Sequence, residues 1–157
     1  CGALPLKGSR RSMTVTHTPR FAMPLALNLV SLQRHDRAAE LFARADALHK
    51  EEPSVTRELA GALLELARFA EAEATLQDGL RRWPEDATLF CNLALVQLLS
   101  GRSGEAQASV EQALVLAPED GISRNVRALI DDIASGKRPL PKSLAELEGR
   151  APSQRTD

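Results

Sequence analysis

Three stretches of the chain align without gaps: LQRHDRAAELFARADAL at 32–48, LARFAEAEATLQDGLRR at 66–82 and SGRSGEAQASVEQALVL at 100–116. Each stretch begins 34 residues after the one before it. A fixed period of this length indicates a fold built from stacked copies of one supersecondary unit. The same anchor alanine stands in each stretch, as Ala38, Ala72 and Ala106.

Each unit places large and small apolar residues on one face of two helices. The first helix carries a large residue followed by a small one. In the second helix a bulky residue follows the anchor alanine by four positions, and a small residue comes three positions later. These offsets keep the side chains on one helical stripe, and small residues let neighbouring helices approach closely. The residues are Leu25-Ala26, Leu59-Ala60 and Leu93-Ala94 in the first helices, and Phe42, Leu76, Val110, Ala45, Gly79 and Ala113 in the second.

This pattern resembles the tetratricopeptide repeat (TPR), whose unit of 34 residues is a pair of antiparallel helices. Pro84 and Pro118 stand where that family ends the second helix, whereas the first unit has Lys50 at this position. The resemblance implies an all-α fold, an α-α superhelix (TPR solenoid) of about three helix-turn-helix repeats with a C-terminal capping helix. The expected boundaries are 21–52, 53–86 and 87–120 for the repeats and 121–136 for the capping helix.

The two ends of the chain differ in composition from the repeats. Residues 1–20 contain four basic residues and no acidic one, so we expect a flexible basic tether. Residues 137–157 are rich in Pro, Ser and charged residues, so we expect a disordered tail. Within it, LAELE at 144–148 is compatible with a nascent turn or a short docking segment. The apolar stripe of the capping helix consists of Ile122, Val126, Leu129, Ile130 and Ile133.

Charge and motif content argue against several classes of function. Residues 21–136 carry a net charge of −7, which is a poor electrostatic match for nucleic acid. No apolar run approaches the roughly 20 residues of a membrane-spanning helix. The histidines are scattered, Asp131 and Asp132 are adjacent and so point in different directions, and the sequence has no phosphate-binding loop or nucleophile elbow. We therefore predict no enzymatic activity, no cofactor and no metal site.

In TPR proteins the first helices of successive units line a concave groove that holds an extended or helical peptide. The resemblance implies that the partner is another protein, with Arg57, Asn92 and Asn125 fixing the backbone of its bound segment. The apolar groove residues are equally compatible with core packing between repeats, and both interpretations stay open at this point. The predicted groove residues are Arg57, Gly61, Leu64, Thr88, Cys91, Asn92, Leu95 and Asn125.

Some members of the family grip the acidic tail of a cytosolic chaperone through a clamp of Lys, Asn and Arg. Only Asn92 stands at a comparable place here, and Glu58 stands where the clamp requires a polar or basic group. The acidic repeats also argue against an acidic ligand. We do not expect this specificity.

The first residues of the sequence, Cys1 and Gly2, resemble the start of a mature bacterial lipoprotein. Lipid attachment to Cys1 would anchor the protein to the periplasmic face of a bacterial membrane, and Gly2 is consistent with the outer membrane. The matching hypothesis is a scaffold that assists assembly of an envelope complex such as a pilus or secretion system. The alternative is a cytoplasmic TPR module that is a fragment of a larger repeat protein.

Overall fold

The computed structural model describes residues 34–48 and 52–149, and these residues form helices joined by short turns. The all-α superhelix expected from the sequence is confirmed. Cys1, the tether, residues 21–33 of the first repeat and residues 150–157 lie outside the described residues. The helices are α1 His35–Leu48, α2 Pro53–Glu65, α3 Phe69–Arg82, α4 Ala87–Leu99, α5 Ser103–Leu116, α6 Gly121–Ala134 and α7 Leu144–Leu147.

Consecutive helices from α1 to α6 pack against one another as neighbours. Contacts also join α2 to α4 and α4 to α6, which skip one helix of the chain. The helices α2, α4 and α6 therefore form a continuous row, which we call the first-helix row. The helices α1, α3 and α5 are the second helices of successive repeats and lie behind it.

Local sequence determines where these helices begin and end. Pro53 occupies the first turn of α2, where a missing N–H costs nothing. Asp86 accepts a hydrogen bond from the Leu89 N–H (3.0 Å) and so caps the start of α4. Asp120 caps α6 through the Ser123 N–H (2.9 Å). Since α3 and α5 each end two residues before a proline, the prolines act as the predicted stops.

The turn between the two helices of a repeat requires a left-handed backbone conformation. Gly101 adopts it in the third repeat with a φ of 79°, which glycine tolerates without steric cost. Ala67 stands at the same place in the second repeat, with a φ of 56°. Because alanine carries a Cβ, this turn is strained in the second repeat and relaxed in the third.

Small residues allow the helices to pack closely. The anchor alanines Ala38, Ala72 and Ala106 are all fully buried. A Cβ added at Gly79 would lie 2.8 Å from Thr56 Cγ2 and 3.2 Å from a Leu89 methyl carbon, so no larger residue fits there without a shift. The three bulky residues that follow the anchor alanines, Phe42, Leu76 and Val110, are also fully buried.

Buried apolar side chains form two large clusters that share α4, and Ala45 and Val55 form a small third one. The first core cluster joins α1 to α4, and the second core cluster joins α4 to α6. The first contains Ala38, Ala39, Phe42, Leu59, Ala60, Ala62, Leu63, Leu64, Ala72, Leu76, Leu89, Leu93, Val96 and Leu99. The second contains Cys91, Ala94, Leu98, Ala106, Val110, Ala113, Val126, Leu129 and Ile130.

Two expectations from the sequence differ from the structure. Ile122 was placed on the buried stripe of the capping helix, but it is 68% exposed, and Ser123 is buried instead. The Ser123 hydroxyl donates to the Asp120 carboxylate (2.5 Å), so its polar group is satisfied. In the expected disordered tail, residues 137–149 form a turn and the one-turn helix α7, which packs on the core clusters.

Replacing Ala106 with Leu tests the close packing of α5. Since Ala106 is fully buried, the added atoms overpack the helix crossing and should lower the free energy of unfolding by about 1–3 kcal/mol. Ala108→Leu on the same helix is the matched control, because Ala108 is exposed and its change should stay within about 0.5 kcal/mol. Urea titrations followed by circular dichroism measure both, and equal losses would contradict the packing argument.

Exchanging the residues of the two turns tests the strain at Ala67. Ala67→Gly should raise the free energy of unfolding by about 0.5–1 kcal/mol, because relief of the left-handed strain exceeds the entropy cost of glycine. Gly101→Ala should lower it by about 1 kcal/mol for the converse reason. Thermal melts of both variants give the signs, and a destabilised Ala67→Gly protein would refute the account.

Candidate functional site

The first-helix row presents the surface on which the predicted groove residues lie. At Gly61, in the middle of α2, an added Cβ would meet nothing within 4 Å, so the surface is open there. Asn92 and Leu95 on α4 are half-buried, and Thr88 at the start of α4 is exposed. The next helix of the row contributes an exposed Asn125. We call the surface formed by Gly61, Thr88, Asn92, Leu95 and Asn125 the first-helix face.

Two of the predicted groove residues belong to the core instead. Leu64 is 2% exposed and lies in the first core cluster, and Cys91 is 3% exposed and lies in the second. Burial raises the pKa of the Cys91 thiol, which therefore remains protonated and packs as a small apolar residue. For these two positions the structure favours the core interpretation that the sequence left open.

Arg57 has a partner inside the chain. Its guanidinium donates to the carboxylate of Asp86, with Nε 3.1 Å from Oδ2. The same carboxylate caps α4 through its other oxygen. Because the Asp86 side chain is 7% exposed, this is a sheltered charged contact that ties α2 to the start of α4. Arg57 thus links two repeats, and its predicted contact with a partner backbone stays a prediction.

Sequence reasoning missed the role of Asp86, although a signal was present. WPED and APED recur one period apart and were interpreted as helix stops through their prolines. The aspartates of these motifs, Asp86 and Asp120, cap the helices that follow. An Asp one residue before a predicted helix is itself an N-cap signature.

The arginines that recur between the helices are also held by the chain. Arg68 donates to Glu71 (2.7 Å), and this hydrogen bond lowers the pKa of the Glu71 carboxyl. Arg102 pairs with Glu105 (2.9 Å) in the equivalent way and also with Glu73 of α3 (2.6 Å). The pair of Arg102 with Glu73 joins two repeats, whereas the pairs with Glu71 and Glu105 are local to the start of one helix.

The helix α7 packs against the first-helix row. It contacts α2, and its side chains Leu144 and Leu147 pack against the first core cluster. Leu147 also reaches the second core cluster, as does the half-buried Leu95 of the first-helix face. Pro141, just before this helix, is buried. The sequence had marked this segment only as a nascent turn or docking segment.

Within residues 34–48 and 52–149, no group of three or more His, Cys, Asp or Glu side chains is placed to hold a metal ion. Over the same residues no helix has the length and apolarity to cross a membrane. His17 and His49 lie outside the described residues, and His35 is buried at the start of α1.

Comparisons by sequence identify one family and one curated relative. A family model for the tetratricopeptide repeat matches residues 29–90. The regulatory protein RapG of Bacillus subtilis (strain 168) is 32% identical over 96 residues, which cover 57% of this chain. The chain spans 26% of the length of that relative.

Comparisons by structure identify TPR domains. The TPR domain of Arabidopsis OM64 matches with a TM-score of 0.69 at 17% identity, covering 74% of this chain and 97% of that one. The first TPR domain of human RPAP3 matches with a TM-score of 0.71 at 16% identity, covering 78% and 96%. The Yersinia enterocolitica type III secretion translocator chaperone SycD matches with a TM-score of 0.69 at 17% identity, covering 77% and 95%. At these identities the likeness is one of fold.

Removing the Arg57 side chain tests its role as a link between repeats. Arg57→Ala leaves the Asp86 carboxylate without a sheltered cation and should lower the free energy of unfolding by about 1–2 kcal/mol. Arg81→Ala is the control, because Arg81 is 75% exposed and its pair with Asp78 is open to water, so the change should stay below about 0.5 kcal/mol. Denaturant titrations measure the free energy of unfolding of both variants. An unchanged value for Arg57→Ala would mean that the contact contributes nothing to stability.

Proposed function

We propose that this chain, whose helices have the fold of stacked tetratricopeptide repeats, is a protein–protein interaction scaffold. It binds a segment of a partner protein on the first-helix face. The observation that carries the proposal is the continuous row of α2, α4 and α6 with an open position at Gly61. Stacked helix pairs create extended surfaces of this kind, which suit an elongated ligand.

The polar residues of the first-helix face suit a peptide backbone. The side chains of Asn92 and Asn125 each offer a carbonyl acceptor and an amide donor, the two groups that a peptide unit complements. Among residues 34–48 and 52–149, neither side chain has a hydrogen-bond partner. Half-buried Leu95 adds an apolar contact beside Asn92. Together they fix the direction of a bound segment while an apolar side chain of that segment is buried.

The charge of the repeats favours a neutral or basic segment. The net charge of −7 over residues 21–136 repels an acidic ligand, and Arg57 is already engaged by Asp86. Structures of the same fold hold an HSP90 peptide, SRMEEVD, and an HSP70 peptide, SGPTIEEVD. For this chain we propose the same face with a different specificity, and we assign it no catalytic step.

A finer candidate is assembly of a bacterial envelope complex such as a pilus or secretion system, with lipid attachment at Cys1. Its support is the basic segment 1–20 and the likeness in fold to a type III secretion translocator chaperone. The gene sequence upstream of the Cys1 codon distinguishes this candidate from a fragment of a larger repeat protein. A signal peptide with a cleavage site supports it, whereas further 34-residue units indicate the larger repeat protein instead.

Site-specific crosslinking in cells tests the proposed face. A photoreactive amino acid at Thr88 or Asn125 should yield adducts with one recurring protein, identified by mass spectrometry, because both positions are exposed on the first-helix row. Ala74 and Ala108, exposed at equivalent places of α3 and α5, are the matched controls and should yield no such adduct. Adducts of equal yield at all four positions, or none at the face, would refute the proposal.

A further inference from the structure

The chain folds back after the last long helix. Gly136 adopts a φ of 76°, which lets the backbone reverse beyond α6. The Arg138 N–H donates to the Asp132 carbonyl (3.1 Å), so the return path begins attached to α6. Leu140 then approaches the turn after α4, where a Cβ added at Gly101 would lie 3.8 Å from its side chain. Residues 137–141 therefore pass from the end of α6 to the end of α4.

Local hydrogen bonds shape the segment that follows into a single helical turn. The Ser143 hydroxyl caps α7 by accepting from the Glu146 N–H (3.2 Å). The Glu146 carboxylate in turn accepts from the Lys142 N–H (2.9 Å), one residue before the cap. The Arg138 guanidinium donates to the Leu147 carbonyl (3.3 Å) and closes the loop on itself. Leu144 and Leu147, three residues apart, consequently lie on one side of the turn.

These two leucines join the turn to the body of the protein. Both pack against the first core cluster, and Leu147 also packs against the second, so the turn spans the boundary between the two clusters. The turn also contacts α2, whose residues lie 79 to 94 positions earlier in the chain. One turn of helix is not stable in isolation, so this docking is what maintains it.

Charge does not account for this docking. Residues 140–147 carry no net charge, because Lys142 is balanced by Glu146. The segment is therefore held on the acidic repeats by its two leucines.

We propose that residues 140–147 are a built-in ligand of the first-helix row, which a partner must displace. The proposal rests on the proposed function, since it places the built-in ligand on the row that binds the partner. It also specifies the partner: a segment without an excess of acidic residues that carries two large apolar side chains three residues apart on a short helical turn. The tether between α6 and the turn is short, so the local concentration of the built-in ligand is high, on the order of millimolar.

A peptide of residues 138–149, added in trans, tests this proposal without knowledge of the partner. The full chain with Leu144→Asp and Leu147→Asp should release its own turn and bind the fluorescent peptide at least about tenfold more tightly than the unchanged chain. Lys142→Ala is the matched control, because its side chain is exposed and its backbone N–H is retained, so it should bind like the unchanged chain. Fluorescence anisotropy measures the three affinities.

Other outcomes overturn the proposal. If the double variant binds no peptide, or binds it no better than the unchanged chain does, the turn is only a structural cap on the helices. A peptide carrying Ala at both leucine positions keeps the same net charge and must fail to bind, since otherwise the two leucines are not what the row recognises. Circular dichroism of the double variant checks that the repeats remain folded. If they unfold, hydrogen exchange of the unchanged chain tests the proposal instead. In the unchanged chain, excess peptide must then accelerate amide exchange at residues 144–148. Failure of either test leaves the crosslinking result intact, so the two proposals fail separately.

Discussion

The close approach of two helices at a small side chain is the contact on which every described repeat depends. The anchor alanines are fully buried, and at Gly79 even one methyl group would collide with Thr56 and Leu89. With the helices this close, a modest set of leucines and valines fills the space between them, which explains how a chain with 3% aromatic residues builds a core. The 34-residue period is the repetition of this one packing requirement along the chain.

Sheltered charged contacts connect the repeats that the small residues bring together. Arg57 of α2 holds the cap of α4, Arg102 reaches back to α3, and Arg82 pairs with Asp46 of α1 (3.3 Å). Apolar packing is tolerant of small rotations, but a guanidinium and a carboxylate meet in few geometries. The pairs therefore limit the angle between neighbouring repeats, and that angle sets the shape of the first-helix row.

The sequence predicted most of the features that repeat, although the recurring caps Asp86 and Asp120 were missed, and it predicted fewer of those that occur once. Helix positions, anchor alanines and proline stops follow from the period, because each is observed more than once. The site was predicted less well. A residue facing the groove and one facing the next repeat have the same helical phase, so Leu64 and Cys91 could not be assigned to the core from spacing alone. The turn at residues 137–149 was also not predicted. The overall composition of the tail does not reveal the two leucines that pack against the core.

The docked turn has a consequence for the speed of recognition. If residues 140–147 occupy the site of the partner, as we propose, a partner cannot complete its contacts at the first collision. At high partner concentration the observed association rate then reaches a plateau set by the opening of the turn, and no longer rises with concentration. The docked turn would also keep apolar surface from non-specific association with other proteins before a partner binds. The rate at which this short turn opens would thereby set the upper limit of the rate at which the scaffold binds its partner.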